Sequence, residues 1–192
     1  MIVVLDVERV EADLARGSIA CPRCTGSLRP WSWAPARRIR QLDGSTLLVR
    51  PRRARCASCR CTQVLLPASC LPRCGDAAEV VGAALVAKAR GRGYRSIAAE
   101  LRRPPATVRR WLRRVRGNHV RWLRRQGVEH TRRLDPDLLG DLPVETSDLA
   151  DALTALAASV HAWRRRFNRH AEAWMLIGVF TRGRLLLPAP AS

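Results

Sequence analysis

Two Cys-x-x-Cys turns, Cys21-Pro-Arg-Cys24 and Cys56-Ala-Ser-Cys59, constrain this chain more than any other feature in it. A turn of that spacing brings two sulfurs within reach of one ion while its backbone amides face them. Two such turns supply the four soft ligands of a tetrahedral structural zinc. The 31 residues between the pairs hold the turn signal Asp43-Gly44 and an apolar strand from Thr46 to Val49, enough for a hairpin. The pairing therefore predicts a zinc ribbon over residues 21–66, with Zn2+ on Cys21, Cys24, Cys56 and Cys59. Cys59-Arg-Cys61 offers Cys61 as an alternative fourth ligand; a second site from Cys61, Cys70 and Cys74 would need a fourth ligand that nothing nearby supplies, so these three read as packing or solvent-facing residues. A redox pair, or a set of small buried apolar residues, is the competing reading of these cysteines. The total of seven is odd, and with no secretion signal expected it favours metal ligation in a reducing cytoplasm over a disulfide framework.

Charge points to a partner. The formal net charge is +19, and it is concentrated in the middle of the chain. Residues 21–75 carry +10 and residues 76–134 carry +12, between ends of −2 and −1. Two adjacent basic blocks between near-neutral ends form a polyanion-binding footprint. Of the 35 bases 34 are Arg, which a GC-rich genome would also give, but base composition does not account for the shortage of acids in the same stretch. A length of 192 residues fits one or two small domains, and 47% apolar residues can build a core. The longest apolar run, Trp174 to Phe180, falls far short of the roughly 18 residues that a membrane span needs. The expected location is the cytoplasm, at the nucleoid.

Along the chain, Ile2 to Leu5 reads as a short strand and Val7 to Arg16 as a helix stopped by Gly17, a lead-in over residues 1–20. A linker with Pro67 and Pro72 follows the ribbon. Asp76-Ala-Ala-Glu79 has the capping-box pattern and opens a helix with Val80, Val81, Ala84 and Leu85 on one face. Gly91 and Gly93 end it; Ser96 is expected to cap a second helix, Ile97 to Leu101, and Pro104-Pro105 to start a third at Thr107 that runs on past Gly117. This is the spacing of a helix-turn-helix, assigned to residues 76–134 with an extended third helix. Val108, Trp111, Leu112 and Val115 form the buried stripe of that helix on a 100° wheel. Arg110 and Arg113 lie opposite, flanked by Thr107, Arg109 and Arg114. An arginine fork pairs bidentately with guanine, so Arg110 and Arg113 are the expected base readers, with Ser96, Arg103, Thr107, Arg109 and Arg114 as further DNA contacts. The turn has Arg102-Arg103 where Gly is common. Either a non-glycine residue takes positive φ there, or the two prolines open the turn. The competing reading is an Arg-covered solvated helix hairpin.

Residues 20–116 resemble the N-terminal part of bacterial insertion-sequence transposases that begin with a four-cysteine zinc finger and continue into a helix-turn-helix. They are still more similar to a family of short zinc-ribbon plus helix-turn-helix proteins from high-GC bacteria. The resemblance rests on Cys21-Pro-Arg-Cys24, Arg52-Arg-Ala-Arg-Cys56-Ala-Ser-Cys59, Val64-Leu-Leu-Pro67, Tyr94 to Leu101 and Thr107 to Leu112. It implies binding to double-stranded DNA, with no assigned reaction.

Transposases of that kind continue into a large α/β domain whose spaced carboxylates hold two metal ions. Only 58 residues follow Leu134. Asp135, Asp137, Asp141, Glu145, Asp148 and Asp151 fall in one loop and one helix start, where acids serve turns and the helix dipole, so no catalytic constellation is expected. The histidines His119, His130, His161 and His170 show no ligand spacing and read as solvated or core residues. Ser147 caps a helix to about Phe167, followed by a last helix over 170–181, a C-terminal hairpin within 147–183. Leu149, Leu153, Leu156, Val160, Trp163 and Phe167 recur at heptad spacing. The seam either packs within the chain against Trp174, Ile177 and Phe180 or forms a homodimer; intrachain packing is favoured for so short a seam.

The expected fold is mainly α with a small β ribbon. The expected function is sequence-specific DNA binding, as a transcriptional regulator or a transposase-derived remnant without a catalytic domain. Two alternatives stand beside it. One is an accessory subunit whose ribbon and tail bind a transposase or polymerase; the other is RNA binding, suggested by Trp31 and Trp33 near Arg37 and Arg38.

Overall fold

In the computed structural model, which describes residues 1–140 and 142–189, a four-stranded sheet is followed by a layer of helices. The strands are β1 (Ile2–Val4), β2 (Leu28–Trp33), β3 (Arg37–Arg40), β4 (Thr46–Val49), β5 (Arg52–Cys56) and β6 (Thr62–Pro67). The main sheet has the order β1-β6-β5-β2, and β3 with β4 forms a separate two-stranded hairpin. The architecture is therefore mixed α/β, not mainly α with a ribbon. Residues 1–20 are no detached lead-in, because β1 pairs in parallel with β6, Ile2 opposite Leu65 and Val4 opposite Pro67. The helix α1 (Val10–Arg16), ended by Gly17 at φ 70, buries Val10 and Leu14 in a small core with Leu28, Ala54 and Leu65. Both strands are short apolar runs, Ile2-Val-Val4 and Val64-Leu-Leu66; only the fold decides that they meet across more than sixty positions.

The helical layer holds the larger core. Helices α2 (Ala78–Ala89), α3 (Tyr94–Glu100) and α4 (Pro105–Arg114) pack on one another through Val80, Val81, Leu85, Ile97, Val108 and Trp111, all buried. Three local expectations are corrected here. Ala77, not Asp76, is the N-cap of α2, because both Asp76 carboxylate oxygens are taken by arginines. Gly93 precedes α3, so Ser96 lies inside the helix, where its Oγ accepts from Arg92 at 2.9 Å. The third helix does not run through: α4 stops at Arg114, Val115 leaves helical geometry and Gly117 sits at φ 53. A new helix, α5 (Asn118–Leu134), starts after that break.

The turn between α3 and α4 takes the first of the two foreseen routes. Arg102 adopts φ 51, and the Arg103 amide donates to the Ala98 carbonyl at 2.9 Å. Residues 67–75 are no exposed linker either, since Pro67, Ala68 and Leu71 are buried.

Ser147 caps α6 (Asp148–Phe167) as expected, its Oγ accepting from the Ala150 amide at 3.2 Å. The principal partner of α6 is α5 rather than α7 (Ala173–Phe180). A Cβ on Gly127 of α5 would overlap the Ala155 backbone of α6, so the two helices touch at their main chains. Of the heptad seam, Leu156 and Val160 are buried, Leu149, Leu153 and Trp163 are half-buried on the same core, and Phe167 is exposed beside Trp163. Most of the seam is thus spent inside the chain. No helix among the described residues is long and apolar enough to cross a membrane.

Candidate metal centre and basic helix

The two Cys-x-x-Cys turns fold alike. Each closes with an amide-to-carbonyl bond five residues on, Cys21 to Gly26 at 2.7 Å and Cys56 to Cys61 at 2.9 Å. Each also places the residue after its second cysteine at positive φ, Thr25 at 60° and Arg60 at 61°. The pairing of β2 with β5, Leu28 opposite Cys56, sets the turns face to face. The Sγ atoms of Cys21, Cys24, Cys56 and Cys59 all lie within 4.8 Å of one another. Cys21 to Cys59 is 3.8 Å and Cys24 to Cys56 is 3.4 Å. Zn–S bonds of about 2.3 Å at tetrahedral angles put sulfurs roughly 3.8 Å apart, so the donor set suits such an ion.

Ionisation within the cluster is uneven. The Arg23 amide donates to Cys21 Sγ at 3.4 Å and helps bring that thiol down to about 6. The amide of Cys59 likewise lowers Cys56. On Cys24 the Gly26 amide pulls downward, but the Cys59 and Cys56 sulfurs outweigh it and push the thiol up to about 11. Four thiolates at these separations coexist only around a cation, and the cluster is compatible with a bound metal ion.

Cys61 occupies the place in its turn that Gly26 takes in the other. Its sulfur lies 3.4 Å from Cys21 and 3.3 Å from Cys59, at the rim of the four that are mutually close. A Cβ on Gly26 would collide with the Ser58 hydroxyl, so a side chain there would require Ser58 to turn away. Cys70 is buried and Cys74 half-buried, and burial raises both thiols.

On α4 the wheel holds. Val108, Trp111 and Leu112 are buried, while Arg109, Arg110, Arg113 and Arg114 are exposed and Thr107 is half-buried. None of these four arginines has an acidic partner within 4.0 Å among the described residues. Arg109 stacks over the Tyr94 ring, its guanidinium carbon 5.9 Å from the centroid.

Arg103 departs from its expected role. Only 9% exposed, it donates to Asp76 at 2.6 Å and to the carbonyls of Gln41 and Leu101 at 2.9 and 3.0 Å. Asp76 in turn accepts from Arg40 of β3 at 2.8 Å. This triad, a buried Asp76–Arg103 pair joined by the exposed Arg40, clamps the β3–β4 hairpin to the turn ahead of α4, and sequence reasoning missed it because a bare arginine carries no sign of its partner. The Arg103 guanidinium is thus committed within the chain rather than presented at the surface beside the α4 arginines.

A β-bulge between Pro30 and Ser32 separates the two tryptophans of β2. Trp31 meets Arg55 at 4.6 Å, whereas Trp33 meets Arg52 at 4.8 Å and Arg50 at 5.9 Å. The two rings thus have different arginine partners. The acids of the loop after Leu134 are dispersed among pairs: Asp135 with Arg165 at 3.2 Å, Asp151 with Arg124 at 2.5 Å, and Glu145 accepting from Thr154 at 2.6 Å. Asp141 lies outside the described residues. His119 is buried against Trp122 with Nε2 3.1 Å from the Leu185 carbonyl, and His130 stacks on Phe180; His161 and His170 are exposed. Comparison of the chain with protein-family models, with curated proteins and with solved structures returns no match.

Proposed function

We propose that the chain is a zinc-stabilised, duplex-DNA-binding protein in which α3 and α4 act as a helix-turn-helix and α4 is the reading helix. Zn2+ would be held by Cys21, Cys24, Cys56 and Cys59, crosslinking two turns of a sheet whose own core is small. The carrying observation is the face of α4, where four exposed arginines without acidic partners stand above a buried Val108-Trp111-Leu112 anchor. Arginines already neutralised by acids give up as much as they gain on meeting phosphate; uncommitted ones do not. Guanidinium forks at Arg110 and Arg113 suit guanine edges, while Thr107, Arg109 and Arg114 suit the backbone. A regulator and a mobile-element remnant would share this module.

Selection from random duplexes, followed by binding of variants to enriched and scrambled sites, tests the reading. Arg110→Ala and Arg113→Ala are expected to fold normally, cost about 1–3 kcal/mol at the enriched site and relax specificity there. Trp111→Ala is expected to lose roughly 3–5 kcal/mol of stability instead. Affinity is expected to fall steeply between low and physiological salt. Equal losses on both sites would reduce α4 to an electrostatic anchor, and a flat salt response would favour the accessory-subunit reading.

A further inference from the structure

Exposed apolar side chains gather at one place on the sheet. Val7, Trp33, Leu47 and Leu48 are 53%, 47%, 50% and 67% exposed, and all four border one groove of about 370 Å³. Val4, Leu65 and Pro67 line it from the four-stranded sheet, and Val49 joins them from the β3–β4 hairpin. The volume lies within the range of small-molecule sites, and the lining has their usual character, mostly apolar with a few polar groups.

Those polar groups define the ligand. Arg52 is committed, donating to Glu11 at 2.5 Å and to the Ser32 carbonyl at 2.7 Å, with Trp33 beneath it. Arg50 has no acidic partner among the described residues and rests its guanidinium carbon 5.9 Å from the Trp33 centroid. With Glu11 offset by Arg52, the groove keeps one uncompensated positive charge beside an aromatic wall. An apolar body would displace water from Trp33 and Leu48, and an anionic group would meet Arg50 through a charge-assisted hydrogen bond. A neutral apolar ligand would leave Arg50 unused. Among the described residues that line the groove, a polyanion would find Arg50 as the one unpaired cation, over an apolar floor.

We propose that this groove is a binding site for a small molecule made of an apolar or aromatic body bearing a single carboxylate. The site is separate from α4 and does not depend on whether the chain binds DNA.

Calorimetric titration of the full chain with 2-naphthoate, and with the uncharged 2-naphthamide as its isostere, tests this. One saturable site is expected, with the acid preferred about tenfold, the size of one charge-assisted bond. Arg50→Gln is expected to abolish the preference while retaining amide binding. Trp33→Leu is expected to weaken both ligands. Arg125→Gln, an exposed arginine on α5, is the control for general attraction by a highly basic chain and should leave the preference intact. Equal binding of acid and amide, a preference that survives Arg50→Gln, or an equal loss in Arg125→Gln would each overturn the proposal. So would absence of saturable binding, including the case in which sedimentation finds a dimer that covers the groove.

Discussion

The sheet and the helical layer draw on the same arginine-rich composition and use it differently. In the sheet, Arg52 and Arg55 lie over the exposed rings of Trp33 and Trp31 and Arg29 donates to the Ala15 carbonyl at 2.6 Å, beside a core of few apolar side chains. In the helical layer Trp111, Leu123, Leu156 and Leu176 fill a core that needs no such cover, which leaves the arginines of α4 facing outward. A region with a small core needs a staple, and the sulfur cluster is placed where one is needed. The contrast implies that the four-cysteine end of the sheet should fail apart from the helices, whereas the regions are joined at Asp76 and where Ile39, Val49 and Leu66 enter the helical core.

Metal removal should have the largest effect and should be confined to one side. Structural zinc sites typically contribute about 10–16 kcal/mol, far more than a core this small supplies. Chelation, or Cys56→Ser, is expected to erase amide protection in β2 and β5 while α5 and α6 keep theirs, as read by hydrogen exchange. Cys61→Ser should do less, since Cys61 stands at the rim of the cluster. Uniform loss across both regions would break the comparison, and an unchanged sheet would remove the metal.

Asp76 is one place where the contrast should fail. Replacing it strands Arg103, which is 9% exposed, with a charge and no counterion. Breaking a buried pair from one side costs roughly 3–5 kcal/mol. In Asp76→Asn, denaturant melts are expected to report a loss of that size, together with faster exchange in β3 and at the start of α4. A loss confined to the helices would show that the hairpin is held by other contacts.

The smallest effect belongs to pH and to the helical layer alone. Burial lowers His119 from its ordinary value of 6.5, so the folded chain keeps the ring neutral. Well above pH 6.5 the ring is neutral in both states and contributes no pH dependence. As pH falls below 6.5 the unfolded chain takes up the proton first, and stability declines. Ring NMR is expected to place the titration of His119 below 6.5, and His119→Gln should flatten this acid-side slope. A ring that titrates at or above 6.5 would contradict the burial argument.

Much of the candidate site was legible because its signals are local. A two-residue gap between cysteines dictates a turn, and a 100° wheel separates Val108, Trp111 and Leu112 from Arg110 and Arg113 whatever surrounds the helix. The Ser147 cap was readable for the same reason, whereas for the turn at Arg102 two routes stayed open until the structure chose positive φ. The cap at Asp76 was misread because a carboxylate ahead of a helix looks identical whether it accepts from an amide or from two arginines. The run past Gly117 failed similarly, since arginines on both sides of the glycine continue the helical pattern through a break.

By itself, then, the sequence determined which side chains face a core and which turns can gather sulfurs, because periodicity and spacing act over a few residues. Which surfaces meet was settled only by tertiary structure: β1 beside β6, α6 against α5, Arg103 turned inward to Asp76, and the two tryptophans of β2 parted by a bulge. The physical reason is that burial is non-directional. An apolar stripe is stabilised by any covering surface of the right shape, and an arginine by any carboxylate, so the choice among partners rests with the packing of the whole chain.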